Sequence, residues 1–209
     1  DKEEKKFLLA RDRYGIKPLY YTHTDNFFSF ASEQKAILQN PNFRKELNLN
    51  GIKEYFTFQN FFSSETLFKN INTFPAGNYA YLSLNNSKKL KITQYWDFDF
   101  FSTKLDLNFK DACEKFKLIF NRAVNRQLVS DVEIGSYLSG GIDSGSIASV
   151  ASKKIKNMKT FTCGFDLTYA STLELNFDER KNAQKMSSLF NTQHFERILR
   201  PGDMEKIIN

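Results

Sequence analysis

The sequence predicts two successive fold classes, an α+β region rich in antiparallel strands followed by an α/β region. Through residues 5–97, short apolar runs are separated by turn residues, which is typical of β-hairpins. Near residue 108 the apolar period changes from two to between three and four, which indicates a helix. From residue 132 onward strands and helices alternate, and this favours a parallel sheet with packed helices. A domain boundary near residue 100 follows.

The first region contains two predicted hairpins and one short helix. Residues 5–38 show the first hairpin pattern, with a turn at "TDN". Residues 48–58 predict a short helix, for which Asn50 is the expected cap. The second hairpin is expected over residues 74–97, where "NNSKK" (85–89) supplies polar turn residues.

The second region begins with the most regular pattern of the chain. Apolar residues recur at three- and four-residue spacing for about five turns, which predicts an amphipathic helix. The alternation that follows implies parallel strands joined by right-handed crossovers. The predicted elements are a helix over 109–124, a strand over 132–138, a helix over 145–155, a strand over 159–165, a helix starting near Asp178 and a strand over 192–199.

Charge and composition limit the class of partner. The formal net charge is +6, but the excess is shared evenly between the two halves instead of forming a basic patch. This distribution does not favour a nucleic-acid-binding protein. No segment approaches the ~20 consecutive apolar residues of a membrane-spanning helix, so no membrane partner is expected.

The cysteines and histidines indicate a reduced, zinc-free protein. Cys113 lies on the apolar face of the predicted helix and Cys163 lies in the apolar run "TFTCGF". Both are therefore expected to be buried free thiols in the cytoplasm. His23 and His194 are the only histidines, and their separation argues against a zinc site.

The stretch "GSYLSGGIDSG" holds four of the nine glycines, Gly135, Gly140, Gly141 and Gly145. It lies between a predicted strand and a predicted helix, and such loops bind anions in α/β sheets. The free N–H groups of the first helical turn point into the loop, where the helix dipole is positive. Glycines also let the backbone approach a phosphate closely.

The loop does not match the two common phosphate-binding motifs. "GSYLSGG" has Gly141 where a P-loop requires lysine, and no G-x-G-x-x-G is present. Because the P-loop lysine serves transfer of a terminal phosphoryl group, a loop of glycines and serines is better suited to holding pyrophosphate as a leaving group. Asp143 suits a Mg²⁺ ion bridging carboxylate and phosphate. The simpler alternative is a structural glycine turn in which Asp143 caps the helix.

"LSGGIDSGSIA" resembles the S-G-G-x-D-S pyrophosphate loop of the ATP-pyrophosphatase superfamily. A longer series of segments resembles, in order and spacing, the glutamine-hydrolysing asparagine synthetases, and it covers nearly the whole chain. The segments are "RDRYGIKPLYY" (11–21), "FASEQKAIL" (30–38), "FPAGNYAYL" (74–82), "YW" (95–96), "AVNRQLVSDVEIGSYLSGGIDS" (123–144), "FTCGFD" (161–166) and "FDERKNAQKMSSLFNTQHFE" (177–196).

The resemblance implies a domain organisation. Residues 1–97 would be the C-terminal part of an Ntn-type class II glutamine amidotransferase β-domain, and 98–107 a linker. Residues 108–209 would begin a doubly wound, parallel-sheet ATP-pyrophosphatase domain. The family's catalytic N-terminal cysteine and its second motif, S-G-E-G-x-D-E, have no counterpart in these residues. We therefore expect an inner piece of the enzyme that is inactive by itself and contains none of the glutaminase catalytic residues.

The resemblance also implies a reaction. MgATP adenylates the side-chain carboxylate of aspartate, and ammonia from glutamine displaces AMP to give asparagine. The implied cofactors are ATP and Mg²⁺, the partners are small-molecule substrates, and a homodimer is the candidate assembly. Carried over by position, the ATP and pyrophosphate ligands are Leu138, Ser139, Gly140, Gly141, Asp143, Ser144, Cys163 and Gly164, with Asp143 as the Mg²⁺ ligand.

Several alternatives stay open at this stage. A relative could amidate another carboxylate, such as that of a sugar acid or a secondary metabolite, or close a β-lactam. A tRNA-modifying ATP-pyrophosphatase would explain the positive charge, although the amidotransferase-like residues 11–38 argue against it. A non-catalytic scaffold conflicts with the intact Ser139, Asp143 and Ser144. In the amidotransferase region, Asp12 is expected to hold a turn or an ion pair instead of acting in catalysis.

Overall fold

The chain folds into two compact units of mixed α/β structure, Asp1–Lys104 and Leu105–Asn209. The structure is a computed structural model, and it describes residues 1–24, 27–83, 86–101, 106–168 and 178–208. None of the helices within these ranges has the length and apolar character needed to span a membrane.

In its described residues, the first unit contains six strands and two short helices. In chain order these are β1 (Lys6–Ala10), β2 (Tyr20–His23), β3 (Phe28–Ala31), α1 (Gln34–Leu38), α2 (Leu49–Phe58), β4 (Asn72–Thr73), β5 (Asn78–Ser83) and β6 (Asn86–Gln94). The strands form two antiparallel sheets, of order β1–β5–β6 and β3–β2–β4. Both predicted hairpins are therefore present.

Side chains from both sheets of this unit share one core. Leu9, Phe74 and Ala80 are buried, and Tyr21 and Phe28 from the second sheet pack against them. Alternation along β5 explains this, because Asn78, Ala80 and Leu82 are buried while Tyr81 is exposed. The antiparallel part of the fold class is confirmed.

Two local predictions for this unit were wrong. The cap of α2 is Asn48 and not Asn50, because the Asn48 side chain accepts a hydrogen bond from the Asn50 N–H at 3.1 Å. The predicted turn at 85–89 is also misplaced, since β6 already begins at Asn86. Residue 85 itself lies outside the described residues, as do residues 25 and 26 of the "TDN" turn.

Asp12 organises the turn after β1, as expected. Its carboxylate accepts hydrogen bonds from the N–H groups of Tyr14, Ile16 and Lys17 at 3.0–3.2 Å. These bonds, that from Ile16 first, lower the pKa of the Asp12 carboxyl. The neighbouring Arg11 donates to the carbonyls of Gly15, Lys17 and Phe74. Both charged side chains are engaged by backbone groups and serve the structure.

The second unit alternates helices and strands, as predicted. Its elements are α3 (Phe109–Gln127), β7 (Gly135–Tyr137), α4 (Ile142–Ala151), β8 (Lys159–Phe165), α5 (Arg180–Phe190), β9 (Gln193–Leu199) and α6 (Asp203–Ile208). The three strands among the described residues of this unit form a parallel sheet in which strand order follows chain order, β7–β8–β9. Within the described residues, α4 lies between β7 and β8 and α5 lies between β8 and β9, which is the arrangement a βαβ unit requires.

The helices of the second unit cover one face of this sheet within the described residues. Ala148 of α4 and Ala183 of α5 belong to the same buried cluster as Leu138 and Met158. On β8, positions 160, 162 and 164 are buried, whereas positions 161, 163 and 165 face outward. The parallel α/β architecture is present, and the doubly wound form with helices on both faces stays a prediction.

The two cysteines are not buried, so that prediction was wrong. Cys163 lies on the outward face of β8, because the strand alternates and Thr160 and Thr162 occupy the buried positions. Cys113 lies on α3, where the expected helix forms but its apolar face stays largely open. Phe109 is 85% exposed and Phe116 is 68% exposed. Only the last turns of α3, around Val124, reach the core.

Candidate functional site

The glycine-rich stretch forms a strand–loop–helix unit. Strand β7 ends at Tyr137 and α4 begins at Ile142, so the intervening loop lies at the carboxyl edge of the parallel sheet. Gly140 has a φ of +82°, a left-handed conformation that favours glycine. A Cβ built there would lie 2.6 Å from the Cβ of Asn182 in α5. Gly140 therefore allows both the turn and the close approach of α5.

Two serines close the loop through hydrogen bonds. The Ser144 hydroxyl accepts from the Ser139 N–H at 3.1 Å and lies 2.9 Å from the Ser139 hydroxyl. The Gly141 N–H donates to the Ser139 hydroxyl at 3.3 Å. The structure thus brings together four of the predicted site residues, Ser139, Gly140, Gly141 and Ser144.

The start of α4 gives this loop its positive electrostatic character. Gly141 is the N-cap and offers no side-chain hydrogen bond to the first turn. Because the first N–H groups of a helix have no intrahelical acceptor, they are available to an anion. A glycine cap leaves the space beside them open. The arrangement can hold phosphate oxygens by backbone donors and the helix dipole.

Leu138 is fixed to β8 through both of its backbone groups. Its N–H donates to the Phe161 carbonyl at 2.9 Å, and its carbonyl accepts from the Thr162 hydroxyl. The Leu138 side chain is 1% exposed and belongs to the core. The loop is therefore attached to a rigid strand pair at its first residue.

A cavity of about 120 Å³ opens between the loop, β8 and the start of α5. It is lined by Tyr137, Leu138, Ser139, Phe161, Thr162, Cys163 and Glu179. Three predicted site residues, Leu138, Ser139 and Cys163, meet here. The neighbouring Gly164 is buried against Arg180, whose Cδ would lie 2.6 Å from an added Cβ. The predicted nucleotide residues of the two strands are thus adjacent in space.

Asp143 occupies the first turn of α4 but does not line that cavity. It is exposed, and it lines a larger groove of about 500 Å³ between α3 and α4, together with Phe116, Phe120 and Lys153. The sequence predicted the position of Asp143 beside the loop, but not that Asp143 lines a different groove from Ser139.

A side-chain ion pair at the start of α5 was missed in the sequence. Arg180 donates to both carboxylate oxygens of Asp178, from Nε at 2.7 Å and from Nη2 at 2.8 Å. Both side chains are mostly buried, and the hydrogen bonds from Arg180 lower the pKa of the Asp178 carboxyl. The signal in the sequence is the run of consecutive charges "DER" (178–180) directly before a helix.

Comparison with known families assigns the two halves of the chain separately. Residues 1–96 match the glutamine amidotransferase domain family. Residues 115–209 match the asparagine synthase family. The second match includes β7, the serine-closed loop, α4 and the cavity beside β8.

Curated relatives match across both halves. Asparagine synthetase [glutamine-hydrolyzing] 3 of Bacillus subtilis is 31% identical over 97% of this chain and 34% of its own length. Asparagine synthetase [glutamine-hydrolyzing] 2 of the same organism is 33% identical over 78% of this chain and 23% of its own length.

A putative asparagine synthetase [glutamine-hydrolyzing] 2 of Methanocaldococcus jannaschii is 29% identical over 100% of the chain and 39% of its own length. The chain thus spans about a third of the length of the curated relatives it matches. The chain therefore matches two families in succession, the glutamine amidotransferase domain family and the asparagine synthase family, and over most of its own length it is similar to glutamine-hydrolysing asparagine synthetases.

Proposed function

We propose that this chain supplies the pyrophosphate-binding loop of an ATP-dependent, glutamine-hydrolysing asparagine synthetase. In this reaction the side-chain carboxylate of aspartate attacks the α-phosphorus of ATP and pyrophosphate leaves. Ammonia released from glutamine then displaces AMP, and asparagine forms. The observation that carries the proposal is the loop of Ser139–Ser144, closed by serine hydroxyls and opening directly onto the start of α4.

The chemistry of the loop suits a leaving pyrophosphate. Backbone N–H groups at a helix start stabilise negative charge as it develops, and they need no proton transfer. The Ser139 and Ser144 hydroxyls, which bind each other here, can turn their hydrogens toward phosphate oxygens. No lysine is present in the loop, in keeping with cleavage between the α- and β-phosphates.

Asp143 fits a Mg²⁺ ion shared with phosphate. Its carboxylate is exposed in the first turn beside the loop and supplies the hard oxygen ligands that Mg²⁺ prefers. Among the described residues no group of three or more acidic, histidine or cysteine side chains could hold a metal alone. One carboxylate with phosphate oxygens and water matches the usual binding of Mg²⁺. When bound, the ion would neutralise charge on the pyrophosphate.

The proposal extends to the organisation of the whole protein. Residues 1–97 are assigned to an Ntn-type amidotransferase domain, 98–107 to a linker and 108–209 to a doubly wound ATP-pyrophosphatase domain. The compact units Asp1–Lys104 and Leu105–Asn209 support a division in this part of the chain. The proposed partners are ATP, aspartate and glutamine, with a homodimer as the assembly and the cytoplasm as the location.

The proposed nucleotide ligands are those named from the sequence. Ser139, Gly140, Gly141 and Ser144 would bind pyrophosphate through the loop. Leu138, Cys163 and Gly164 would contact the adenosine part, and the cavity beside β8 supports this assignment for Leu138 and Cys163. The two sets are adjacent, as the parts of one nucleotide require.

The decisive experiment is the Asp143→Ala substitution in the full-length protein. Formation of asparagine and pyrophosphate should be abolished, while glutamate release from glutamine continues. An Asp131→Ala variant, altered in an exposed loop residue before β7, should retain both activities. Loss of both activities together in Asp143→Ala would indicate misfolding and refute the assigned role. Pyrophosphate release from another carboxylic acid, with aspartate inert, would overturn the choice of acceptor.

A further inference from the structure

We infer that Glu179 binds a ribose hydroxyl of the nucleotide and so makes the site selective for ribonucleoside triphosphates. This inference rests on the proposed function. Among the described residues that line the cavity formed by β7, β8 and the start of α5, Glu179 is the charged one. It lies there with Ser139, the first serine of the loop, and Cys163.

The Glu179 carboxylate is available to a ligand. Within the described residues it has no hydrogen-bond or salt-bridge partner, although its carbonyl accepts the Ala183 N–H inside α5. The side chain is exposed at the cavity. An ionised carboxylate only accepts hydrogen bonds, so the group that it binds must donate them.

The backbone of Glu179 is fixed from both sides. Asp178 and Arg180 bind each other through two hydrogen bonds of 2.7 and 2.8 Å. The Arg180 stem lies against Gly164, where an added Cβ would approach its Cδ to 2.6 Å. Asn182 lies equally close to Gly140. The start of α5 is therefore held against both β8 and the loop, and Glu179 is held at the cavity.

The order of groups along a nucleotide selects the ribose as the donor. With pyrophosphate on the loop, the next group of ATP is the ribose, and the cavity begins at Ser139, the first residue of the loop. A carboxylate near a triphosphate is repelled by it unless a cation lies between them, and the neutral hydrogen-bond donors of ATP that follow the phosphates are the ribose hydroxyls. A carboxylate that binds ribose hydroxyls is a known solution in other nucleotide-binding sheets.

The test compares ATP with 2′-deoxy-ATP and 3′-deoxy-ATP on the full-length protein by calorimetry in saturating Mg²⁺. The unaltered protein should bind ATP about tenfold more tightly than at least one deoxy analogue, as expected for a hydrogen bond to a charged group. Glu179→Ala should weaken ATP binding about tenfold and leave the affinity for that analogue unchanged. Glu114→Ala, which removes an exposed glutamate of α3, should behave as the unaltered protein.

Four outcomes would overturn the inference alone. One is equal binding of ATP and both deoxy analogues by the unaltered protein. A second is an equal loss of affinity for all three nucleotides in Glu179→Ala, as expected if Glu179 binds Mg²⁺. A third is that Glu179→Ala loses a preference for ATP over inosine triphosphate that the unaltered protein shows, which would assign Glu179 to the base. A fourth is that Glu179→Ala changes the KM for aspartate and leaves nucleotide binding unchanged. Failure of the unaltered protein to bind ATP would instead refute the proposed function, and this inference with it.

Discussion

The hydroxyl oxygens of Ser139 and Ser144 lie 2.9 Å apart, on either side of the two loop glycines. The Ser144 hydroxyl also accepts the Ser139 N–H at 3.1 Å, so it binds both the N–H and the hydroxyl of Ser139. The loop is therefore preorganised before any ligand binds. Preorganised donors act without further rearrangement when charge develops.

Ser144→Ala should impair pyrophosphate release much more than folding. The loss of the three neutral hydrogen bonds of the Ser144 hydroxyl costs about 1–3 kcal/mol of unfolding free energy, whereas a disordered loop should slow pyrophosphate release at least about tenfold. The matched control is Ser149→Ala, which removes a hydroxyl that donates to the Ser146 carbonyl within α4 at 2.9 Å. Equal pyrophosphate release by the two variants would contradict the role of the loop.

Gly140→Ala should destabilise the second unit more than Gly202→Ala does. Both glycines have left-handed φ angles, +82° and +83°, so both substitutions incur about 1–2 kcal/mol of backbone strain. A Cβ at position 140 would also collide with Asn182, whereas one at position 202 would have no atom within 4 Å. Hydrogen exchange of the β7 and β8 amides measures the difference. Similar exchange in both variants would refute close packing of α5 on the loop.

Acid should destabilise the second unit partly through Asp178. Hydrogen bonds from Arg180 lower the pKa of this carboxyl below its unfolded value of about 3.9. The ionised form is therefore favoured in the fold. Its stabilisation is present above that unfolded value and is lost as the pH falls through the lower folded pKa.

Asp178→Asn should accordingly reduce stability near neutral pH and flatten its decline below about pH 5. Urea unfolding at a series of pH values measures the stability. Hydrogen exchange of the α5 amides then shows whether the loss is local to this helix. Asp131→Asn, which alters an exposed loop aspartate, serves as the control. A decline as steep in Asp178→Asn as in the unaltered protein would contradict the prediction.

Cys163 should react with a maleimide and be protected by ATP. The thiol is exposed on β8 and lines the cavity with Leu138 and Ser139. Cys113, the other exposed thiol, lies on α3 and outside that cavity, so it provides an internal control. Mass spectrometry of labelled peptides should show slower modification of Cys163 alone when ATP and Mg²⁺ are present. Equal protection of both thiols, or of neither, would refute adenosine binding at Cys163.

Local sequence signals predicted the candidate loop well. Gly140 and Gly141 mark the turn, and the apolar residues on either side predict β7 and α4 without knowledge of distant contacts. The amphipathic period predicted α3 for the same reason. Residue 135 begins β7 three positions later than expected, and α4 begins at Ile142, three positions earlier than expected, which reflects how weakly sequence specifies element ends.

Properties that depend on distant packing were not predictable. "TFTCGF" reads as an apolar run, but whether Cys163 or Thr162 faces the helices depends on the register with β7 and β9. Likewise, the period of α3 predicts an apolar face but not which of its turns another element covers. The contact of Glu179 with the cavity depends on the approach of α5 to Gly140, for which the sequence holds no local signal.

The two units differ in how far apart in sequence their paired strands lie, and this difference affects folding during synthesis on the ribosome. In the first unit, β1 pairs with β5, and the register joins Lys6 to Ser83. The edge of β1 that pairs with β5 therefore stays unpaired until most of that unit has been synthesised. Closing the long loop between β1 and β5 has a high entropy cost. In the second unit each new strand pairs with the strand made just before it. The loop at 139–144 can consequently gain its supporting sheet as the nascent chain emerges, because the pairings of β7 with β8 and of β8 with β9 close shorter loops than the pairing of β1 with β5.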